Sequence, residues 1–157
     1  MRALIQRSLK SSVAVKENGE YKPLSKIDKG LVVLLGVEDS DTDEDIDKIC
    51  SKIEKLRIFE DENGKLNLSI KDIGGSILLI SQFTLYANCQ KGNRPSFIEA
   101  GEPRFANAMY EKTAKLFRDR GLEVGTGEFG ADMLVSIENS GPVTIWLDSK
   151  ELLGRKK

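Results

Sequence analysis

Two stretches of this chain are apolar at nearly every position: residues 31–37, Leu-Val-Val-Leu-Leu-Gly-Val, and residues 75–80, Gly-Ser-Ile-Leu-Leu-Ile. An extended chain points successive side chains to opposite faces, so a run that is apolar on both has no face to offer water. Both runs are expected as buried strands. The second then changes character. Ser81, Gln82 and Thr84 follow it, with Phe83 and Leu85 between them. A buried hydroxyl or amide left without a partner costs roughly 1–3 kcal/mol. Either the fold satisfies these groups internally or they face a ligand, and the residues alone leave both readings open.

The rest of the chain supplies the frame. Residues 2–8 and 12–15 read as two strands, followed by Asn18-Gly19, a turn pair that tolerates positive φ. Residues 21–24 read as a short returning strand, with Pro23 marking an edge. Asp28-Lys29-Gly30 is a turn. The acidic stretch from Asp39 to Asp45 invites a metal-loop reading, but a calcium loop's glycine at the sixth place and glutamate at the twelfth are missing. Carboxylates at a helix start, with Ser40 or Thr42 as the cap, explain it better. Ile46, Ile49, Cys50, Ile53 and Leu56 then recur at helical spacing, which assigns Cys50 to the core. Asp61-Glu62-Asn63-Gly64 is a turn and residues 66–68 a short strand. Residues 87–101 are a loop in which Cys89 is incidental. A second helix spans residues 103–120, opened by Pro103 and closed by Gly121, with Phe105, Met109, Leu116 and Phe117 inward. The glycine-rich residues 125–130 lack GxGxxG spacing, a Walker lysine and a following helix, and read as a loop between strands. Met133, Val135 and Ile137, then Val143, Ile145 and Leu147, form a last pair of strands joined across Gly141-Pro142. Seven or eight strands and two helices, without regular βαβ alternation, predict one α+β domain over residues 1–153. Its sheet is expected to be largely antiparallel and barrel-like, with a frayed basic tail over residues 154–157.

Composition removes several chemistries. The chain has no histidine, which excludes Ser-His-Asp and Cys-His triads. The commonest zinc ligand and the usual general base near neutral pH go with it. Cys50 and Cys89 form no CxxC pair and imply no disulfide framework, so a reducing, cytoplasmic setting is the expectation. No cofactor and no metal is expected. The opening apolar run is broken by Gln6 and Arg7, unlike a signal peptide, and no run approaches the roughly 20 apolar residues of a membrane helix. Net charge is −1, too little for gripping nucleic acid by bulk electrostatics. An RNA-acting chain of this composition must concentrate its cations locally. Lys91 with Arg94, Arg118 with Arg120, and Arg155-Lys156-Lys157 are the candidates, with solvated surface charge as the plain alternative.

The Ser81-Gln82-Phe83-Thr84-Leu85 run and the Asn139-Ser140-Gly141-Pro142-Val143-Thr144 run together resemble the D-aminoacyl-tRNA deacylases, also called D-tyrosyl-tRNA deacylases. Supporting blocks stand in the same order: Arg2 to Arg7, Leu34-Leu35-Gly36-Val37, Arg57-Ile58-Phe59, Gly64 to Leu68, Arg94-Pro95-Ser96-Phe97 and Ala131-Asp132-Met133. The resemblance implies a barrel-like homodimer that hydrolyses the ester joining a D-amino acid to the terminal ribose of tRNA, with glycyl-tRNA as a further candidate substrate. It implies catalytic roles for Ser81, Gln82, Phe83 and Thr84, and substrate binding with chiral selection by Gly141, Pro142 and Met133. Asn139, Thr144 and Arg7, or Gln6, support them. An X-Pro bond is cis in only about 5–6% of cases, so the residues alone read Gly141-Pro142 as a trans turn. The resemblance implies a cis bond reaching into the partner subunit's site, where its carbonyls hold the α-amino group and leave no room for an L side chain.

An aminoacyl ester is already activated, so its hydrolysis needs positioned water and a stabilised oxyanion more than a strong nucleophile. Thr84 as a covalent nucleophile has no base in view. In the other reading Ser81, Gln82, Phe83 and Thr84 present backbone N–H groups and hydroxyls, and the substrate's own 2′-hydroxyl assists. Two rivals remain: a hydrolase of another ester or peptide using Thr84 or Ser81 as nucleophile, and a non-enzymatic RNA- or protein-binding module. Near-neutral charge and few clustered aromatics disfavour the module. Neither DNA nor a membrane is an expected partner.

Overall fold

The computed structural model describes residues 1–155; Lys156 and Lys157, in the basic tail, lie outside the described residues. The elements in chain order are β1 (Arg2–Glu17), β2 (Glu20–Ile27), β3 (Gly30–Gly36), α1 (Asp43–Lys55), β4 (Phe59–Glu60), β5 (Leu66–Leu68) and β6 (Ser76–Ser81). A 3-10 turn (Phe83–Tyr86) follows, then α2 (Pro103–Asp119), β7 (Glu123–Thr126), β8 (Met133–Asp148) and α3 (Ser149–Leu152).

β1 is one long strand where two were expected. Its first half pairs with β3, from Arg2↔Gly36 to Ser8↔Gly30. Its second half pairs with β2, from Ser11↔Ile27 to Glu17↔Glu20, across the turn at Asn18 and Gly19, both with positive φ. β8 lies along its other edge over almost the whole length. The β1–β8 register slips between Gln6 and Ser8 and again between Ser8 and Ser11, and Leu9 and Lys10 stand exposed there. Such bulges bend a strand without ending it, which explains the apparent break in the sequence. β8 is likewise a single strand of 16 residues, not a hairpin pair, because both halves pair with β1. The Gly141-Pro142 bond within it is cis, against the trans expectation from the residues alone.

The sheet order is β2-β1-β3-β6-β7, with β8 on β1. The three pairings of β1 are antiparallel, but β3–β6 and β6–β7 are parallel, so the sheet is more mixed than expected. Parallel neighbours need a long crossover, and α1 and α2 lie in the two crossovers. Gly125 and Thr126 belong to β7 instead of a loop.

Alternation along β3 and β6 explains why both are apolar throughout. Leu31, Val33, Leu35, Ile77 and Leu79 face the helices and pack with Ile49, Ile53, Met109 and Phe117. Val32, Leu78 and Ile80 face the barrel interior with Val13 and Ile27, closed by Met133, Val135 and Ile137. Cys50 is buried in the helix-side core, and burial pushes its thiol up to about 12.

The acidic stretch is structural. Thr42 is the N-cap of α1, and the Asp45 carboxylate accepts from both the Thr42 N–H and hydroxyl at 2.8 Å. Asp45 also accepts from the Ser149 hydroxyl at 2.6 Å and from Arg155 at 3.1 Å. The Met1 ammonium donates to Asp41 and, at 2.8 Å, to Ser149. Arg155 is thereby tied to α1, where a frayed tail was expected. Among the described residues no helix is long and apolar enough to cross a membrane.

Candidate functional site

The polar residues after β6 sit where the strand ends and the chain tightens. The Gln82 N–H donates to the Leu35 carbonyl at 2.7 Å, carrying the β3–β6 pairing one residue further. The 3-10 turn follows. Buried Tyr86 anchors it, and the Arg2 guanidinium lies 4.3 Å from the Tyr86 ring while donating to the Leu85 carbonyl at 3.0 Å. Gln82 Nε2 donates to Thr84 Oγ1. Thr84 is exposed, Phe83 is 56% exposed, and the half-buried Ser81 has no side-chain hydrogen bond among the described residues. The strand end is thus satisfied only in part by the fold.

Ser81, Gln82 and Phe83 border a pocket of about 510 Å³. Leu35 and Ile80 come from the sheet, Ala106 and Tyr110 from α2, and Phe129 and Met133 from the stretch leading into β8; Ser81, Gln82 and Phe83 stand at the edge. An apolar cavity with a few polar groups at its mouth is the usual make-up of a small-molecule site. The Tyr110 hydroxyl donates to the Leu79 carbonyl at 2.7 Å, and burial pushes this phenol up to about 12. Gly127 lets the wall close: a Cβ there would lie 2.6 Å from Met133 Sδ. Asp132 is the one carboxylate among the lining residues, and it faces Lys16 at 3.6 Å and the Tyr21 hydroxyl at 3.4 Å.

Gly141 and Pro142 are exposed and do not line this pocket. A set of braces holds their turn. Arg7 is buried, donating from Nε to the Ser140 carbonyl at 3.0 Å and from Nη1 to the Ile58 carbonyl at 2.9 Å. Asn139 accepts from the Val143 N–H at 3.2 Å and donates to Thr144 Oγ1 at 3.1 Å, which also accepts from Gln6 Nε2 at 3.2 Å. Gly141 has φ +123°, and a Cβ on it would fall 2.9 Å from Arg7 Nη2. Within one chain, then, Ser81, Gln82, Phe83 and Met133 come together, Thr84 stands beside them, and Gly141 and Pro142 with Arg7, Asn139 and Thr144 form a second, separate feature.

Sequence reasoning missed the pocket walls. Tyr110 and Phe129 reach it from elements distant in the chain. The three basic clusters also separate. Arg120 pairs with Asp47 and, at 3.2 Å, with Glu54; Arg118 donates to the Val124 carbonyl at 3.0 Å; Arg155 pairs with Asp45 and Glu44. Lys91 and Arg94 are exposed and have no ion-pair partner among the described residues.

Fold and site together define a mixed α+β barrel protein with an apolar pocket at a strand end. No histidine or cysteine lines it. The sequence model described as D-Tyr-tRNA(Tyr) deacylase matches residues 4–148. Proteins named D-aminoacyl-tRNA deacylase are similar over almost their whole length. That of Clostridioides difficile (strain 630) is 52% identical, covering 96% of this chain and 99% of its own; that of Aquifex aeolicus (strain VF5) is 55% identical, covering 97% and 100%. Among solved structures, one named c-Myc DNA Unwinding Element Binding Protein superposes with a TM-score of 0.85 at 40% identity, covering 94% of this chain and 98% of its own. A structure titled as a probable eukaryotic D-amino acid tRNA deacylase gives 0.77 at 17% identity, covering 93% and 97%, and shares the fold. The chain belongs to the D-aminoacyl-tRNA deacylase family.

Proposed function

We propose that this chain hydrolyses the ester of D-aminoacyl-tRNA, releasing free tRNA and the D-amino acid. The observation that carries this reading is the half-open strand end in a member of this family: Ser81, Gln82 and Phe83 on the rim of an apolar pocket, with Thr84 beside them. The pocket takes the terminal adenosine, and the ester lies at the rim. Water adds to the carbonyl carbon, the oxyanion forms, and the C–O bond to the ribose breaks, the ribose oxygen leaving with a proton. The neighbouring 2′-hydroxyl of the substrate assists. The Gln82 N–H is committed to Leu35, so stabilisation of the oxyanion falls to the N–H groups of Phe83 and Thr84 and the free Ser81 hydroxyl.

Chiral selection on this reading needs a second copy. Gly141 and Pro142 are exposed and braced and do not line their own chain's pocket. The outer face of β8 also exposes Leu134 and Trp146, at 50% and 44%. A homodimer covers that face and brings each turn to the partner's ester, where its carbonyls take the α-amino group and crowd out an L side chain. Glycyl-tRNA, lacking a side chain to reject, is then a secondary substrate, and the cytoplasm is the site of action. The test is a paired deacylation assay with D-Tyr-tRNA and L-Tyr-tRNA. Rapid release from the D form alone supports both activity and filter; release from neither overturns the activity, and release from both overturns the role of Gly141 and Pro142.

A further inference from the structure

We infer that the loop closed by Asn88 and Ser96 guides the RNA strand into the site: Phe97, packed on Phe83, takes the base next to the terminal adenosine, and Lys91 and Arg94 meet the strand's phosphates. This rests on the reading of the pocket as the seat of that adenosine. The loop has a fixed base, since Asn88 and Ser96 exchange N–H···O bonds of 2.8 and 2.9 Å. The chain just beyond it is tied to the pocket: the Gly101 N–H donates to the Val37 carbonyl at 2.8 Å, and Ala100 and Gly101 line the cavity. Phe97 stands beside the pocket, against its lining residue Phe83. Its ring meets Phe83 edge to face, with centroids 5.0 Å apart and planes at 72°. Both rings stay partly open, at 36% and 56% exposure, although large aromatics normally bury themselves.

An edge-to-face pair leaves ring faces free, and a nucleobase stacks on such a face whatever its identity. Every tRNA ends in a single-stranded cytidine-cytidine-adenosine. A strand whose last adenosine occupies the pocket must leave over the rim, where Phe83 and Phe97 lie. The loop tip adds the charge. A chain of net charge −1 must meet RNA through local cations, and among the described residues of the three basic clusters Arg118, Arg120 and Arg155 are spent on the protein's own carboxylates and carbonyls, whereas Lys91 and Arg94 are not.

The experiment compares three substrates carrying the same D-tyrosyl ester: adenosine, the cytidylyl-cytidylyl-adenosine trinucleotide, and full tRNA. Phe97→Ala is expected to lower kcat/KM about tenfold on the trinucleotide and tRNA, within the range given by loss of one stacked base. The deficit disappears on the adenosine ester, which has no base to stack, and Phe97→Trp restores the longer substrates. The double variant Lys91→Gln with Arg94→Gln should flatten the log–log salt dependence of kcat/KM on tRNA by about 1.4, from roughly 0.7 per single-strand phosphate contact. A Phe97→Ala deficit equal on all three substrates, or none on any, overturns the guide alone, as does an unchanged salt slope. Failure of the wild-type protein on all three overturns the deacylase reading, and the guide with it.

Discussion

Two groups of polar side chains stand where apolar elements end, and they meet opposite fates. At the start of α1, Asp41, Asp45 and Ser149 are at most 5% exposed, and each is held by hydrogen bonds or an ion pair: to the Met1 ammonium, to Thr42, to Arg155, or to one another. At the end of β6, Phe83 and Thr84 are open and the Ser81 hydroxyl has no partner among the described residues; the side-chain bond there joins Gln82 to Thr84. Buried polar groups must be satisfied or the fold loses free energy. The first cluster is therefore spent on stability. The second keeps its groups for something that arrives. In the sequence the acidic stretch already reads as a helix start while Ser81–Thr84 stays open to both readings, and partner satisfaction in the structure is what separates them.

The largest test of that division is Asp45→Ala. It takes the acceptor from Thr42, Ser149 and Arg155 together. Removing one partner of a buried ion pair costs roughly 3–5 kcal/mol; Arg155 is 38% exposed, which favours the lower end. Thermal unfolding should show a Tm lower by about 10 °C, at roughly 2–4 °C per kcal/mol for a domain of this size. The turnover of the folded protein should be unchanged. A turnover loss at unchanged Tm would move this cluster to the functional side.

The same carboxylate sets a pH dependence. Burial alone would raise the Asp45 pKa, but hydrogen bonds from Ser149, Thr42 and Arg155 outweigh it and hold the group down at about 2, from an ordinary 3.8. A depressed native value contributes stability above the unfolded pKa, and that contribution is lost as pH falls through the native one. It amounts to about 2 kcal/mol, disappearing between about pH 4 and pH 2. Asp41 runs the other way: burial outweighs its bond to the Met1 ammonium and raises its pKa, so its contribution fades as pH rises. The difference between wild type and Asp45→Asn in urea titrations across that window isolates Asp45. A constant difference would sink the assignment.

A smaller effect is expected at the pocket. In Gly127→Ala the new methyl meets the end of a flexible side chain, Met133 Sδ at 2.6 Å, so Met133 shifts and stability barely changes. The pocket narrows instead. KM for D-Tyr-tRNA should rise several-fold with kcat nearly constant, and a fall in kcat alone would mean that Met133 does not border the bound substrate.

Legibility in the sequence follows the range of each interaction. α1 and α2 announce themselves through periodicity, Thr42, Pro103 and Gly121, and the Asn18-Gly19 turn through its φ requirement; all are local. The buried character of β3 and β6 is equally local. Their parallel pairing is not, because it depends on which way the crossovers carry the chain. β1 and β8 each read as two strands, since a bulge at Ser8 or a turn at Gly141 looks like an ending when the partner strand is unknown. The same limit hides the pocket. The rim at Ser81–Thr84 is visible as a change from apolar to polar, whereas Tyr110 and Phe129 are ordinary apolar positions until folding brings them to Met133. Gly141 and Pro142 draw attention only through family resemblance, and no local rule yields their bracing by Arg7 from the other end of the chain.

The smallest expected effect is the most informative about chemistry. Thr84→Val keeps the shape and removes the hydroxyl of an exposed side chain, so Tm should hold. As a covalent nucleophile Thr84 would need a base to take its proton. The chain has no histidine, and the pocket's one lining carboxylate, Asp132, is turned to Lys16 and Tyr21. Among the described residues, the one side-chain bond of Thr84 places its hydroxyl oxygen as the acceptor from Gln82, which orients the Gln82 amide and activates nothing. The loss in kcat should therefore stay below the roughly 10²-fold that even one oxyanion-hole donor is worth, and mass spectrometry of quenched reactions should find no tyrosyl adduct on the chain. Near-complete loss with an adduct on the wild-type protein would put Thr84 at the centre of the reaction, and the open strand end would then be a nucleophile's seat instead of a rim that positions substrate.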